Sequence, residues 1–324
     1  MKNATKMSRG FCGRRIEADL ATKIAGLKVS RTPIALMAIV ALTFNLLWVG
    51  CSEVTIQPLE PQPGSITPAN SLSNGSAAIT LALTGKIVYT NGGNLFSINL
   101  SSRSVTQLTF TNGEAEVNPE YSADGSKIAF QSSGIWTMNA DGTGRLKLTT
   151  YGGVPEWSPD GTKIAFTSNG VLVMNSDGSN VTQLTTHGLF PAWSPDGTRI
   201  AFSSSLNSTD SEVWIMDAIG QNQQKVLSRA GADIDVSWSH GPKIAFGGSV
   251  AGKNSYEIFV VNPDGTGLTR LTVSAKQDFE PTWSPDGSML AFASFRSPSG
   301  IYTMNADGSN QTFLTAGRQP SWAP

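Results

Sequence analysis

Cysteine and histidine are scarce in this chain, with two of each among 324 residues. Cys12 and Cys51 both lie near the N-terminus, so no disulfide or thiolate metal site can form in the long segment after them. His187 and His240 fall in loop and turn positions where a structural or solvated role is expected. No Gly-x-Ser-x-Gly elbow occurs, which argues against a serine hydrolase. We therefore expect no metal and no cofactor.

Basic residues are also few once the N-terminus is set aside. Residues 1–51 hold eight of the 23 Lys and Arg but two of the 24 Asp and Glu. The remainder holds 15 basic and 22 acidic residues, a net charge of −7. An acidic body argues against nucleic acid as a partner, because such binding depends on neutralising phosphates.

A five-residue phrase, Trp-Ser-Pro-Asp-Gly, recurs along the acidic part of the chain. Complete or eroded, it begins at Tyr121, Trp157, Trp193, Trp238, Trp283 and Trp322. These aromatic residues are 36, 36, 45, 45 and 39 residues apart. A repeat of about 40 residues made of strand-like runs is typical of a β-propeller. Spacing of one aromatic residue per blade favours packing between blades over a platform that stacks on a ligand.

Each repeat contains four short β-prone runs separated by turn residues. We label them A (the Trp strand), B (Lys-Ile-Ala-Phe), C (Met-Asn) and D (Leu-Thr), and six of each can be counted. The first B run, at residues 86–89, has no A run before it, and the last A run, at Trp322, has no B run after it. Pairing these two runs would leave no open sheet edge at the seam. The sequence therefore predicts an all-β, six-bladed propeller with four antiparallel strands per blade, closed by the C-terminal strand completing the first blade.

The repeated phrases carry a family resemblance. Trp-Ser-Pro-Asp-Gly, Lys-Ile-Ala-Phe and Met-Asn-Ala-Asp-Gly resemble the propeller repeat of TolB-type periplasmic proteins over about residues 84–324. The resemblance implies the fold, but one fold can host many unrelated activities. In the TolB family an α/β domain precedes the propeller, and in this chain a short linker takes that place. A role in the Tol–Pal envelope system is therefore not carried over.

The N-terminal 50 residues have the parts of a secretory signal. Lys23, Lys28 and Arg31 precede an apolar run that begins at residue 34 and continues to Gly50, directly before Cys51. This junction resembles the lipobox of bacterial lipoproteins, which implies that Cys51 carries lipid. An uncleaved membrane anchor is the alternative, because residues 33–50 are long enough to span a bilayer. The basic region is long, so translation could also start at Met7 or later.

Residues 51–81 have the composition of a flexible tether, with four prolines and several Ser and Gly residues. The predicted division is a leader at 1–50, a lipidated cysteine with its tether at 51–81, and the propeller at 82–324. We expect a monomeric, extracytoplasmic protein held at a membrane through its lipid or its uncleaved signal. In a Gram-negative cell it would lie at the outer membrane or in the periplasm.

Only one rim of the predicted ring varies between repeats. The A–B and C–D turns are stereotyped, whereas the B–C and D–A loops on the opposite rim, which we name the variable rim, differ and lengthen at residues 203–211 and 247–256. Ahead of the A-strand aromatic residues, one arc of this rim is acidic and the other is apolar. Loops on a rigid ring are common binding sites. The predicted ligand-binding residues are Glu116, Asn118, Asp233, Asp235, Asp278, Glu280 and Arg318.

Several interpretations of this acidic arc are open. It could bind an envelope protein partner or a small basic or sugar-like ligand, or its carboxylates could be solvated loop residues without a ligand. A carbohydrate-active enzyme, a lyase or glycosidase, could use Asp235 and Glu280 as acid and base. The lack of a local catalytic motif favours a non-enzymatic binding or scaffold protein of the bacterial cell envelope.

Overall fold

The computed structural model describes residues 83–111, 113–206, 208–238, 241–250 and 255–324. They belong to the second of two compact units of the chain, Ala77–Pro324. All regular elements in these ranges are β-strands, so the described part contains no helix that could cross a membrane. The predicted leader, Cys51, the tether and His240 lie outside the described residues.

The described strands form six four-stranded antiparallel sheets, each with one strand at the centre of the ring and three strands outside it. From the inner strand outwards, blade 1 contains β24 (Arg318–Ala323), β1 (Lys86–Asn91), β2 (Asn94–Asn99) and β3 (Val105–Gln107). Blade 2 contains β4 (Val117–Tyr121), β5 (Lys127–Gln131), β6 (Ile135–Asn139) and β7 (Leu146–Lys147). Blade 3 contains β8 (Gly153–Trp157), β9 (Lys163–Thr167), β10 (Val171–Asn175) and β11 (Thr182–Gln183).

The other three blades follow the same order of strands. Blade 4 contains β12 (Leu189–Trp193), β13 (Arg199–Ser204), β14 (Glu212–Asp217) and β15 (Gln224–Lys225). Blade 5 contains β16 (Asp233–Trp238), β17 (Ile244–Ser249), β18 (Tyr256–Val261) and β19 (Thr269–Arg270). Blade 6 contains β20 (Asp278–Trp283), β21 (Met289–Ser294), β22 (Gly300–Asn305) and β23 (Thr312–Thr315).

Blade 1 joins strands from the two ends of the propeller. β24 pairs antiparallel with β1, with Trp322 opposite Ile87 and Ala323 opposite Lys86. The inner strands of neighbouring blades contact one another all the way round, including β24 with both β4 and β20. The predicted six-bladed ring, closed by the C-terminal strand, is therefore confirmed.

The recurring Ser-Pro-Asp-Gly turn is held by its serine and aspartate. Ser158 Oγ donates to Asp160 Oδ1 at 2.6 Å, and the Lys163 amide donates to Ser158 Oγ at 2.9 Å. The hydrogen bond from Ser158 is the main reason that the pKa of Asp160 is lowered, because it stabilises the ionised form. The same Ser–Asp contact is made by Ser122, Ser194 and Ser284. The A–B turns of these four blades, which lie on the stereotyped rim, thus share one hydrogen-bonded structure.

The core lies between the blades. Phe166 and Phe202 of the B strands are fully buried. Trp193 of blade 4 packs in one cluster with Ala165 and Val173 of blade 3. Burying a large apolar side chain stabilises the fold by roughly 1.5–3 kcal/mol. The expectation that the A-strand aromatic residues pack between blades is confirmed.

Candidate functional site

The inner strands of all six blades enclose a central channel. Its wider part, a cavity of about 660 Å³, opens at the variable rim and is lined by residues of β4, β8, β12, β16, β20 and β24. A narrower part of about 100 Å³ lies towards the stereotyped rim, among the A-strand aromatic residues. We call the opening of the wider part the mouth.

Every inner strand has the same bulge at the mouth, three residues before its aromatic residue. The bulge residues have φ between 49° and 54°, and the pairing with the next strand shifts register there. A left-handed backbone is uncommon for residues other than glycine. Since it recurs in all six blades, it belongs to the repeat and not to one strained site. The bulge residues are Asn118, Val154, Phe190, Asp235, Glu280 and Gln319, and all of them line the cavity.

Four neighbouring bulges are joined by three hydrogen bonds, in each of which a bulge side chain accepts from the amide of the next bulge. The Glu280 amide donates to Asp235 Oδ2 at 3.4 Å, and the Gln319 amide donates to Glu280 Oε2 at 2.8 Å. The Asn118 amide in turn donates to Gln319 Oε1 at 3.1 Å. These four residues form the polar arc of the mouth. The apolar arc consists of Val154 and Phe190.

The polar arc concentrates negative charge. Burial, with a smaller contribution from the charge of nearby Glu280, raises the pKa of Asp235 to about 7. Burial also raises the pKa of Glu280, although the Gln319 amide and Arg318 oppose the shift. Arg318 Nη2 lies 3.4 Å from Glu280 Oε1 and is half exposed to solvent. Two carboxylates beside a single, exposed cation suit the binding of a positively charged group.

Three of the predicted binding residues do not line the cavity. They are fully buried in ion pairs within their blades. Glu116 pairs with Arg145, Asp233 with Arg229, and Asp278 with Arg296. Each arginine also lies over two aromatic rings of its blade, as Arg296 does at 5.5 Å from Phe292 and 5.4 Å from Tyr302. We call this arrangement the acid–arginine–aromatic unit. The structure therefore brings Asn118, Asp235, Glu280 and Arg318 together at the mouth and separates Glu116, Asp233 and Asp278 from them.

Two glutamates that sequence reasoning missed lie deeper in the channel. Glu120 and Glu156 directly precede the aromatic residues of β4 and β8. Together with Ser237 and Thr282 they border both the wide and the narrow part, and we call this level the waist. Their position in the strand could have indicated this. Residues two apart on a strand point to the same side, and the residues one and three places before the aromatic residue both line the channel in these two blades.

The waist glutamates are enclosed and repel each other. Burial raises the pKa of Glu120 to about 8, against the opposing effect of a hydrogen bond with Ser321. Burial raises the pKa of Glu156 well above its ordinary value, and the charge of Glu120 adds to the increase. The two carboxylates therefore hold protons at pH values where exposed glutamates are ionised.

Histidine and metal chemistry can be assessed only within the described ranges. His187 packs against the rings of Phe202 and Trp214, and its Nδ1 lies 2.9 Å from Ser204 Oγ. These contacts fit the structural role expected from the sequence. The described residues contain no group of three or more His, Cys, Asp or Glu side chains that could hold a metal ion.

The described blades and part of their sequence are similar to known proteins. Six four-stranded blades around a channel define a β-propeller. Residues 169–324 match the family model described as the TolB beta propeller domain. A solved structure of TolB from Acinetobacter baumannii is similar with a TM-score of 0.65, at 20% identity, over 74% of this chain and 67% of that chain. One of a putative TolB from Agrobacterium tumefaciens has a TM-score of 0.62, at 21% identity, over 74% and 92%.

Curated relatives match shorter segments. The "Tol-Pal system protein TolB" of Geobacter metallireducens is 32% identical over 76 residues, which are 22% of this chain and 18% of that protein. The "Protein TolB homolog" of Chlorobium luteolum is 33% identical over 70 residues, 22% of this chain and 16% of that protein. The chain thus matches less than a fifth of the length of these relatives.

Proposed function

We propose that this propeller is a non-enzymatic binding module of the bacterial cell envelope that holds a partner protein at the variable rim. The observation that carries the proposal is the divided mouth. A polar arc with Asp235 and Glu280 faces an apolar arc with Val154 and Phe190 across a cavity of about 660 Å³. A rigid ring that offers charge and apolar contact together suits recognition of a protein segment.

Exposed apolar side chains on the variable rim add to the surface that a protein-sized ligand could cover. Phe110 and Val273 of the D–A loops are 75% and 77% exposed. Further large apolar side chains exposed on this rim are Tyr151, Leu189 and Phe295. Phe295 also lines the cavity, so apolar surface continues from the rim into the mouth.

The envelope location rests on the leader and on the relatives. The names of two curated relatives assign those proteins to the Tol-Pal system. For this chain we propose export directed by residues 1–50, anchoring through lipid on Cys51, a tether at 51–81 and a monomeric propeller at 82–324. Several acyl chains hold a protein at a membrane where one does not. Mass spectrometry of the N-terminal peptide tests the anchor: a diacylated Cys51 is expected, and an unmodified cysteine contradicts it.

Capture of membrane proteins by the full-length chain tests the binding role. We expect the wild type to retain a reproducible partner protein. Asp235→Arg combined with Glu280→Arg reverses the charge of the polar arc and should abolish capture. The matched control, Asp141→Arg with Asp177→Arg, reverses two carboxylates on the stereotyped rim and should leave capture intact.

Thermal melting must first show that both double variants are folded, so that a loss of capture can be attributed to the changed charges. Loss of the partner in the mouth variant alone supports binding at the variable rim. Equal capture by the wild type and both variants excludes the mouth as the binding surface.

A carbohydrate-active enzyme, a lyase or glycosidase, is the second candidate. It is favoured by the two waist glutamates, since a carboxyl group with a raised pKa can serve as a general acid. An oligogalacturonate lyase of Vibrio parahaemolyticus is similar in fold, with a TM-score of 0.50 at 14% identity. Turnover of a polysaccharide that is lost in both Glu156→Gln and Asp235→Asn would support this candidate. No turnover across a broad panel would exclude it.

A further inference from the structure

We infer that the waist of the channel is a receptor for one basic side chain, a lysine ammonium or an arginine guanidinium, which the partner inserts through the mouth. The inference rests on the proposed function, since it specifies what the bound segment presents to the ring. It is carried by the unpaired state of Glu120 and Glu156 and by the shape of the cavity above them.

The waist glutamates differ from most of the enclosed acids of the ring. Six of those acids form an ion pair with an arginine or lysine: Glu116, Glu212, Asp233, Glu257, Asp278 and Glu280. Asp235 at the mouth forms no ion pair, but the charge of nearby Arg318 lowers its pKa. Within the described ranges, no basic side chain pairs with Glu120 or Glu156, and no hydrogen bond reaches the Glu156 carboxylate. An enclosed carboxylate without a counter-charge is unfavourable, and a second one beside it adds repulsion. The waist therefore lacks a cation of the kind that the six paired acids have.

The route from the mouth to the waist suits an aliphatic stem. Val154, Pro155, Phe190 and Pro191 line the wall of the cavity in the blades beside the glutamates. Lysine and arginine bury their methylene stems against apolar surface while the charged end reaches a polar group. At the mouth, Asp235 and Glu280 would attract the same charge before it enters.

The donor set favours an organic cation over a metal ion. Calcium takes about six to eight oxygen ligands, usually with several carboxylates. The waist offers two carboxylates with the hydroxyls of Ser237 and Thr282, and no metal-holding group of three acidic, histidine or cysteine side chains is found among the described residues. Two carboxylates match one ammonium or one guanidinium group, whose several N–H donors they can share.

Titration calorimetry on the full-length chain in detergent at pH 8 tests the inference. The probe is n-butylguanidinium, a single guanidinium on a four-carbon stem, and 1-butanol is the uncharged control. We expect n-butylguanidinium to bind saturably with one molecule per chain and 1-butanol not to bind. Glu120→Gln with Glu156→Gln should weaken n-butylguanidinium binding at least about tenfold, whereas Asp141→Asn with Asp177→Asn should leave it unchanged. Absence of n-butylguanidinium binding, or saturation by CaCl₂ instead, overturns the inference.

Melting without a ligand gives an independent readout that does not require binding. Glu156→Gln keeps nearly the same shape but removes the cost of either protonating this carboxylate or holding it charged without a partner, so it should raise the melting temperature of the free protein at pH 8. A lower melting temperature would mean that the carboxylate is stabilised by the ring itself, and the inference would be wrong.

Partner capture separates this inference from the proposed function. If Asp235→Arg with Glu280→Arg abolishes capture and Glu120→Gln with Glu156→Gln does not, binding at the rim stands and the waist receptor fails. If both double variants lose the partner, the waist receptor is supported. If neither variant loses it, the proposed function itself fails.

Discussion

Two groups of blades fill the same buried position in different ways. The position lies five residues before the aromatic residue of the inner strand. In blades 2, 5 and 6 it holds the acid of an acid–arginine–aromatic unit. In blades 1, 3 and 4 it holds a glycine: Gly317, Gly152 and Gly188.

The glycine blades show why no side chain fits there. A Cβ on Gly152 would lie 2.7 Å from Phe166, and one on Gly188 would lie 2.6 Å from Phe202. All three glycines have a positive φ, which the acids at this position do not have, so the backbone of the glycine blades directs a Cβ towards the B-strand ring. An acid at this position therefore has a structural role, because it is buried in an ion pair within its blade. An acid at the bulge or the waist, by contrast, faces the channel and is available to a ligand.

Removal of residues 319–324 should have the largest effect, because it takes most of β24 from blade 1 and opens the ring. We expect loss of the cooperative thermal transition and exposure of the inner edge of β1. Removal of Pro324 alone, an exposed residue beyond β24, is the control and should melt like the wild type. If the longer truncation also melts like the wild type, pairing of β24 with β1 does not stabilise the fold. Blade 1 would then have to be left out of the comparison between glycine blades and acid blades.

Asp278→Ala should break one acid–arginine–aromatic unit by leaving Arg296 enclosed without its counter-charge. Breaking a buried pair in this way costs about 3–5 kcal/mol in the free energy of unfolding, measurable by urea denaturation. The double variant Asp278→Ala with Arg296→Met should recover much of that loss. A double variant no more stable than Asp278→Ala would show that the ion pair is not what fills the position.

Gly188→Ala should damage a glycine blade in a different way. The new Cβ would meet the Phe202 ring at a backbone φ of +101°, and such overpacking costs about 1–3 kcal/mol. Gly161→Ala is the matched control, since its φ is also positive at +68° but nothing lies within 4 Å. Equal losses of stability in the two variants would mean that backbone strain, and not the ring, excludes the side chain.

The smallest expected effect is on pH dependence and concerns the channel acids. The pKa of Asp235 is raised from 3.8 to about 7 and that of Glu120 from 4.5 to about 8. The folded state thus binds more protons than the unfolded state between these values, so stability is lost as pH rises from about 5 to 8. The melting temperature should fall across this window and fall less in Glu120→Gln with Glu156→Gln. The pKa values of the turn aspartates Asp124 and Asp196 are lowered to about 2, so their protonation changes stability only at pH values below this window. If the melting temperature of this double variant fell with pH as steeply as that of the wild type, the raised pKa values of the waist glutamates would be contradicted.

The fold could be predicted from the sequence because its repeat unit is local. The turn phrases and apolar B strands recur at similar spacing, and the unmatched runs at residues 86–89 and Trp322 indicated closure. The bulge could not be predicted, because valine, phenylalanine and glutamate carry no signal for a positive φ. Glu116 and Arg145 are 29 residues apart, so nothing local marked that acid as paired. Glu120 and Glu156 could have been found by strand alternation, because each lies two residues after a position that faces the channel, Asn118 or Val154.

The pairing of β24 with β1 also has a consequence for the timing of synthesis. β1 is the first described strand to be made and β24 the last, with more than 220 residues between them. At about 5–20 residues per second, β1 waits roughly 10–50 s for its partner. Throughout that interval its free edge can pair with a neighbouring nascent chain. The inner edge of β1 is covered only when β24 is made, so translation speed and exposure to other chains are coupled at this one seam.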